Sequence, residues 1–195
     1  KNENIVYCDN KTFLNKFSFK HTQGIAAEFK ISYLDFIVNS KNKNLCYVII
    51  DQMHDPQNLG QIIRTCECAG VDGIILPRHG SVHITDTVLQ VSQGAFFHLD
   101  VFIVPNLNNT ISYLKDNDFW IIGIENSIDS QNWCDIDYNG KVGIVFGSEG
   151  SGIRRLVKKS CDFLATIPMS GKINSLNISA AVSAVLFERN RQLLK

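Results

Sequence analysis

Short apolar runs alternate with helix-like patterns of apolar and polar positions from residue 45 to the end of the chain. Residues 45–51 form a nearly continuous apolar run of strand length, which is typical of a strand buried on both faces of a sheet. Between residues 58 and 69 the apolar side chains share one helix face, and Arg64 points away from it. The same pattern predicts strands at residues 73–76, 99–104, 119–124, 142–146 and 163–167, and helices at residues 86–92, 107–117, 152–161 and 176–194.

Strands that alternate with helices predict an α/β fold with a mostly parallel sheet and helices on both faces. Residues 1–44 differ from the rest, because they are rich in Lys, Asn and Phe and show no regular period. We interpret residues 1–44 as the tail of an upstream module plus a linker, and residues 45–195 as one domain. The chain begins with Lys1 rather than Met, so we expect a trimmed or processed form.

The balance of charges argues against a strongly basic nucleic-acid-binding domain. The 195 residues include 19 Lys and Arg and 19 Asp and Glu, which gives a formal net charge of +0. Contact with RNA would therefore depend on a local basic patch. Arg154, Arg155, Lys158 and Lys159 offer such a patch, and a solvated helix face is the alternative interpretation.

Six cysteines occur without a CxxC pair, which indicates reduced thiols in a cytoplasmic compartment. Cys66 and Cys68, with His79 and His83 nearby in the sequence, superficially resemble zinc ligands. Two residues that lie two apart on a helix point in opposite directions, so we expect no metal site there. The sequence contains neither a signal peptide nor an apolar run long enough for a membrane span.

A glycine-rich loop, Gly147-Ser-Glu-Gly-Ser-Gly152, separates a predicted strand from a predicted helix. Glycines allow a ligand to approach the backbone closely, although a generic turn is the alternative. The loop is not a P-loop, because no Lys-Ser/Thr pair follows it, and Glu149 occupies the place of a G-x-S-x-G nucleophile. Its glycine spacing also departs from the dinucleotide-binding pattern.

Polar residues gather at two other positions that we single out. Asn58 and Arg64 lie on the helix at residues 58–69, where an exposed arginine is the ordinary alternative. Four polar residues crowd the start of the last helix, which we expect to be buried, and helix capping alone does not require so many. These four are Asn174, Ser175, Asn177 and Ser179.

Together these segments resemble the three motifs of the SpoU (TrmH-type) RNA ribose 2′-O-methyltransferases, a branch of the SPOUT superfamily. The first motif is similar to Asp55-Pro-Gln-Asn58-Leu-Gly60 with Arg64, the second to residues 145–152, and the third to residues 167–179. They occur in the order and spacing of the family, and the resemblance covers residues 45–192. His21-Thr-Gln-Gly24 also resembles a linker of the bacterial 23S rRNA guanosine-2′-O-methyltransferase subgroup, where it follows a small RNA-binding domain.

The resemblance implies a C-terminal trefoil knot, a homodimer and the cofactor S-adenosylmethionine, which becomes S-adenosylhomocysteine. It places the cofactor against the backbone around Gly147, Ile167 and Leu176, with Gly123 and Met169 nearby. No metal is implied. The implied substrate is RNA, because DNA lacks the 2′-hydroxyl acceptor. Ribosomal RNA is favoured by the linker, and transfer RNA and a catalytically silent RNA-binding protein are the alternatives.

The family resemblance assigns a catalytic role to Arg64 and site-ordering roles to four further residues: Asn58, Glu149, Ser175 and Asn177. A guanidinium stays protonated in nearly every protein, so Arg64 is an awkward base. Our hypothesis is that Arg64 binds a phosphate and stabilises the developing alkoxide. For RNA binding we expect Arg64, Arg154, Arg155 and Lys172.

Overall fold

The computed structural model describes residues 5–17, 23–31, 33–38, 42–127, 130–148 and 150–194. The chain divides into two compact units, Lys1–Ser32 and Tyr33–Lys195. The first contains a short helix, α1 (Asn10–Lys16), which begins where the Asp9 side chain accepts a hydrogen bond from the Thr12 backbone. The sequence pattern did not predict this helix, because α1 buries none of its residues and so has no apolar face.

The second unit is built on one seven-stranded sheet. Its strands are β1 (Leu45–Ile50), β2 (Gly73–Pro77), β3 (Val101–Val104), β4 (Trp120–Ile124), β5 (Gln131–Asn132), β6 (Lys141–Phe146) and β7 (Phe163–Thr166). Their order is β3-β2-β1-β6-β4-β7-β5, and every pair of neighbouring strands is parallel. The predicted parallel α/β sheet is confirmed, although β5, with two exposed residues, was not predicted.

Within the described residues, five α-helices accompany the sheet: α2 (Pro56–Cys68), α3 (Asp86–Val91), α4 (Leu107–Lys115), α5 (Arg155–Ser160) and α6 (Ile178–Leu193). Three of them begin at positions other than the predicted ones. The side chain of Asp55 caps α2, so this helix begins before Asn58. Asn177 caps α6, so Leu176 precedes the helix, and α5 begins only after the glycine loop is complete.

The helices cover both faces of the sheet, as predicted. Side chains alternate along β1, so that Cys46, Val48 and Ile50 join one apolar cluster with residues of α2, α3 and α6. Leu45, Tyr47 and Ile49 join a second cluster on the opposite face with residues of α4 and α5. All six residues of β1 are buried, which explains its continuous apolar run.

Residues 33–38 pack with the sheet of the second unit. The Phe36 ring meets Tyr47 and Phe102 edge to face, with ring centroids 5.2 and 5.0 Å apart. The Val38 backbone amide donates a hydrogen bond of 3.3 Å to the Tyr113 hydroxyl. The interpretation of residues 1–44 as the tail of a separate domain stays a prediction, and His21 lies outside the described residues. In the described ranges, no helix is long and apolar enough to cross a membrane.

Candidate active site

A cavity of about 460 Å³ opens at the carboxyl ends of β4, β6 and β7. This edge of a parallel sheet is where open α/β folds bind ligands. The cavity is lined on one side by the glycine loop and on the other by the segment that leads from β7 to α6. Its walls include Gly147, Ser148, Gly150, Ile167, Met169 and Leu176.

The glycine loop folds back over its own first residue. A Cβ atom placed on Gly147 would collide with the backbone of Gly152 and Ile153. Backbone hydrogen bonds of 3.0 and 3.1 Å join Ser148 to Gly152, and Gly152 adopts a φ of +65°, which favours glycine. Gly150 faces open space instead. Close backbone packing therefore requires glycine at position 147, whereas position 150 borders the cavity without such a constraint.

Four of the five residues predicted to contact a cofactor line this cavity: Gly147, Ile167, Met169 and Leu176. Gly123 does not line it, since this residue is buried in β4, where an added Cβ would lie 3.0 Å from both Cys161 and Leu164. The next two residues, Ile124 and Glu125, reach the cavity instead. The residues of this segment that reach the cavity are therefore those one and two positions after Gly123. The roles of all these residues in cofactor binding stay predictions.

Three polar residues of the cavity were missed: Glu125, Asn126 and Thr166. Asn126 connects the end of β4 to the wall formed by β7 and the segment before α6, because its side chain donates a hydrogen bond of 3.1 Å to the Asn174 carbonyl and accepts one of 3.4 Å from the Thr166 hydroxyl. Glu125 accepts a hydrogen bond of 2.6 Å from Lys158. All three residues lie at or just after the end of a strand, which is the sequence signal that could have revealed them.

A hydrogen-bonded network connects α2 to the start of α6. The Asn177 amide donates to the Asn58 side-chain oxygen over 3.0 Å, and the Asn177 oxygen accepts from the Ser179 backbone over 2.9 Å. The Ser179 hydroxyl also lies 2.7 Å from the Gln61 oxygen. Asn58 and Ser179 are buried, but Asn174, Ser175 and Asn177 are exposed, so the expected burial of all four polar residues at this helix start is wrong.

Arg64 does not line the first cavity. It borders a second one of about 490 Å³, together with Gln61, Thr65, Val91, Gln93, Ser179, Ala180 and Ser183. The first turn of α6 separates the two cavities, because Ile178 and Ala181 face the first whereas Ser179 and Ala180 face the second. Arg64 is exposed, as predicted, and its guanidinium has no hydrogen bond or ion pair with another residue that the structure describes.

The predicted basic patch divides into two rows along α5. Arg154 forms an ion pair of 2.7 Å with Asp51, whose side chain is fully buried, and Lys158 pairs with Glu125 over 2.6 Å. Arg155 and Lys159 are exposed on the neighbouring row, and Lys172 is exposed in the segment before α6. Arg154 is therefore engaged in holding the fold, whereas the exposed cations are available to a partner. Glu149 lies outside the described residues.

The cysteines confirm the expected geometry of α2, because Cys66 is buried and Cys68 is exposed. Burial raises the pKa of the Cys66 thiol well above its ordinary value. Within the described ranges, no three His, Cys, Asp or Glu side chains group closely enough to hold a metal ion.

Known proteins resemble this chain in sequence and in fold. The model of the SpoU rRNA Methylase family matches residues 45–187. A Staphylococcus saprophyticus protein assigned to the TrmH family of tRNA/rRNA methyltransferases is 42% identical over 193 residues, covering 96% of this chain and 77% of that protein. The chain belongs to the SpoU methylase family.

Two solved methyltransferase structures carry the same fold. The AdoMet-bound rRNA methyltransferase from Sinorhizobium meliloti matches with a TM-score of 0.88 and 26% identity, over 96% of this chain and 71% of that one. The SpoU methyltransferase AviRb from Streptomyces viridochromogenes, in complex with AdoMet, gives a TM-score of 0.73 and 25% identity. Here 78% of this chain is covered, and this chain spans 62% of AviRb. SpoU methylases are RNA methyltransferases that use S-adenosylmethionine. Membership of this family confirms the predicted cofactor.

The residues present fit the SpoU cofactor. A volume of about 460 Å³ lies within the range of small-molecule pockets, roughly 300–1,000 Å³. Glycine-rich backbone on one wall and Ile167, Met169 and Leu176 on the other suit a flat adenine ring that is recognised by loops. The polar groups of Ser148, Asn126 and Glu125 lie at the same cavity and can accept or donate hydrogen bonds.

Proposed function

We propose that this SpoU methylase transfers a methyl group from S-adenosylmethionine to a ribose 2′-hydroxyl of RNA. The observation that carries the proposal is the pair of neighbouring cavities on either side of the first turn of α6. One is walled by the glycine loop, and the other is bordered by Arg64. Such a pair provides adjacent places for a cofactor and for an acceptor, which is what transfer between two bound molecules requires.

The cofactor, when bound, supplies a methyl group that is attached to a sulfonium, and the thioether S-adenosylhomocysteine is a good leaving group. The chain has then mainly to orient the acceptor and to assist removal of its proton. The backbone around Gly147, Ile167 and Leu176 would hold the cofactor, because these residues wall the first cavity. Met169 adds an apolar contact on the same wall.

Arg64 contributes charge rather than a base, because its guanidinium stays protonated at neutral pH. We assign it the binding of an RNA phosphate and stabilisation of the alkoxide that develops on the acceptor oxygen. Asn58 and Asn177 order the boundary between the cavities through their hydrogen bond of 3.0 Å. Ser175 lines the first cavity and is assigned, with Glu149, to the ordering of the site.

The first test is a calorimetric titration of the chain with S-adenosylhomocysteine, followed by methyl transfer to RNA. We expect saturable binding of S-adenosylhomocysteine and none of NAD. Arg64→Lys tests the arginine: it keeps the charge but loses the planar, bidentate fork, so we expect methyl transfer to fall about tenfold or more with unchanged cofactor affinity. Transfer at the wild-type rate would overturn the role given to the guanidinium.

Ribosomal RNA, with a guanosine as the target, is the substrate that we favour. The His-Gln-Gly linker resemblance supports it, and the Sinorhizobium meliloti neighbour is an rRNA methyltransferase. Transfer RNA is the second candidate, since the Staphylococcus saprophyticus relative is assigned to tRNA/rRNA methyltransferases. Incorporation of labelled methyl groups into unmodified ribosomal and transfer RNA, followed by digestion to nucleosides, identifies both the RNA class and the 2′-O-methylated nucleoside. A catalytically silent RNA-binding protein would bind RNA and incorporate none.

A homodimer, a trefoil knot and a cytoplasmic location complete the proposal. The dimer is supported by an outward row on α6, in which Ala180 is exposed and Phe187 is 51% exposed. Membership of the SpoU family supports the trefoil knot, and an RNA substrate supports the cytoplasmic location.

We expect Phe187→Asp to shift the sedimenting species from dimer to monomer. The control Leu156→Asp changes an apolar residue, 65% exposed, on the other face of the sheet and leaves the dimer intact.

A further inference from the structure

Two carboxylates flank the point where the glycine loop leaves the sheet. Phe146, the last residue of β6, pairs with Ile50 of β1 on one side and with Ile124 of β4 on the other. The residues that directly follow these three strands therefore lie side by side: Asp51 after β1, Gly147 after β6 and Glu125 after β4. The two acidic side chains stand on either side of the glycine at which the loop begins.

The far end of the loop returns to these same two carboxylates. The Ile153 backbone amide donates to Glu125 Oε2 over 3.4 Å, and the Arg154 amide donates to Asp51 Oδ2 over 2.8 Å. Consecutive backbone N–H groups are thus held by side chains from two different strands. The backbone of Gly152 and Ile153 lies so close over Gly147 that a Cβ atom there would collide with it.

Each carboxylate is also tied to a cation, Arg154 at the N-cap of α5 or Lys158 within the helix. Arg154 Nε donates to Asp51 Oδ1 over 2.8 Å, and Lys158 Nζ donates to Glu125 Oε1 over 2.6 Å. Arg154 and Lys158 are four residues apart, so both lie on the same side of the helix. The side chain of Asp51 is fully buried and that of Glu125 is 21% exposed. A buried carboxylate that accepts several charge-assisted hydrogen bonds fixes its donors firmly.

We propose that Asp51 and Glu125 are positioning residues that hold the glycine loop in the shape that binds the cofactor. The inference rests on the proposed function of the cavity. The loop begins as the continuation of β6 and its far end is held to the sheet by these two carboxylates, so its backbone is arranged before any ligand arrives. Preorganised backbone binds more tightly, because less ordering remains to be done on binding.

The chain offers a matched control at the opposite end of the sheet. Asp162 accepts a hydrogen bond of 2.9 Å from the Ile121 amide and forms an ion pair of 2.8 Å with Lys115. Its side chain is 21% exposed, the same fraction as that of Glu125. Asp162 therefore has the same kinds of partner as Glu125 but lies at the amino end of β4, away from the cavity.

The experiment compares Asp51→Asn, Glu125→Gln and Asp162→Asn by titration with S-adenosylhomocysteine, at a temperature where thermal unfolding shows each variant to be folded. We expect the Kd to rise about fivefold or more in the first two variants and to change less than about twofold in Asp162→Asn. Equal Kd values in all three variants and the wild type would overturn the proposal. So would an equal rise in Asp162→Asn, since that indicates a general loss of stability.

A measurement without ligand separates this inference from the proposed function. Amide hydrogen exchange of Ile153 and Arg154, followed by NMR, should accelerate in Glu125→Gln and Asp51→Asn respectively and stay unchanged in Asp162→Asn. Exchange that does not change in the first two variants contradicts the anchoring of the loop. If the wild-type chain does not bind S-adenosylhomocysteine, the proposed function fails, and the exchange rates still decide whether the carboxylates hold the loop.

Discussion

The side-chain amide of Asn177 donates a hydrogen bond of 3.0 Å to the side-chain oxygen of Asn58. The two residues are far apart in the sequence, one in the first turn of α2 and the other at the cap of α6. Asn177 uses the other end of its amide to accept a hydrogen bond from the Ser179 backbone. One side chain therefore both begins a helix and connects the first motif to the third.

Substitution of Asn177 can separate these two contributions. Serine caps helices about as well as asparagine but is too short to reach Asn58, whereas alanine can form neither hydrogen bond. We expect Asn177→Ser to keep the free energy of unfolding within about 0.5 kcal/mol and Asn177→Ala to lower it by about 1 kcal/mol. Both variants should lower methyl transfer. Chemical denaturation and a methyl-transfer assay provide the measurements, and wild-type transfer by Asn177→Ser would show that the link to Asn58 is dispensable.

Substitution by alanine should lower the stability of the chain at one glycine of the loop and leave it unchanged at another. Gly147→Ala places a methyl group against the backbone of Gly152 and Ile153, so we expect a loss of about 1–3 kcal/mol in the free energy of unfolding and weaker cofactor binding. Gly150→Ala meets no atom within 4 Å and should leave stability nearly unchanged. A larger residue, as in Gly150→Phe, should weaken S-adenosylhomocysteine binding without unfolding the chain. Equal stability of the two alanine variants would contradict the loop geometry.

The two rows of cations on α5 predict different phenotypes. Arg155→Ala and Lys159→Ala remove exposed charges, so RNA affinity should fall and its salt dependence should weaken by about one unit of slope for each phosphate that is no longer neutralised. Arg154→Ala instead leaves the buried Asp51 carboxylate without its guanidinium, which should cost roughly 1–3 kcal/mol of stability. Filter binding across a salt series and thermal unfolding distinguish the rows. Destabilisation by Arg155→Ala would reverse this assignment.

The six thiols should differ in their accessibility to a reagent. Burial raises the pKa of Cys46 to about 12 and that of Cys161 to about 12, and it also raises that of Cys66. These three should stay protonated and unreactive as the pH rises from 7 to 9, whereas Cys8, Cys68 and Cys134 are exposed and accessible to a reagent.

Burial disfavours the thiolate, so the stability contributed by the protonated buried thiols is complete below the ordinary thiol pKa. It is lost as the pH rises towards 12. A chromogenic disulfide reagent should therefore modify three thiols in the native chain and six after denaturation. Rapid modification of Cys161 in the native state would be inconsistent with its packing beneath Gly123.

Much of the sheet could be predicted, because strands that are buried on both faces appear in the sequence as apolar runs. β1 and β6 are continuous apolar runs, and Arg64 lies opposite the apolar face of α2. The two-residue strand β5 could not be predicted, since both of its residues are exposed and its pairing depends on β7. The order of strands also depends on contacts between distant segments, which local periodicity does not contain.

The parts of the candidate site that are formed by backbone could be predicted from the sequence. The parts that are formed by single side chains were harder to predict. The glycine loop and the wall at Ile167 and Leu176 were found from their motifs. Glu125 and Asn126 were missed, because their position just after a strand is their one sequence signal and they belong to no motif. The pairing of Arg154 with Asp51 joins positions far apart in the sequence, and a row of basic residues alone does not reveal which of them point inward.

The pairing of Leu45 in β1 with Lys141 in β6 has a consequence for synthesis on the ribosome. An emerging chain can pair β1 with β2 early, but the centre of the sheet stays open until β6 has left the exit tunnel. The wall formed by β7 and the cap of α6 comes later still. Because pairing between distant segments is slow and domains fold as units, the nascent protein has no complete cofactor pocket until the start of α6 has emerged. The emergence of the first turn of α6 is therefore the step after which the chain can first bind a methyl donor.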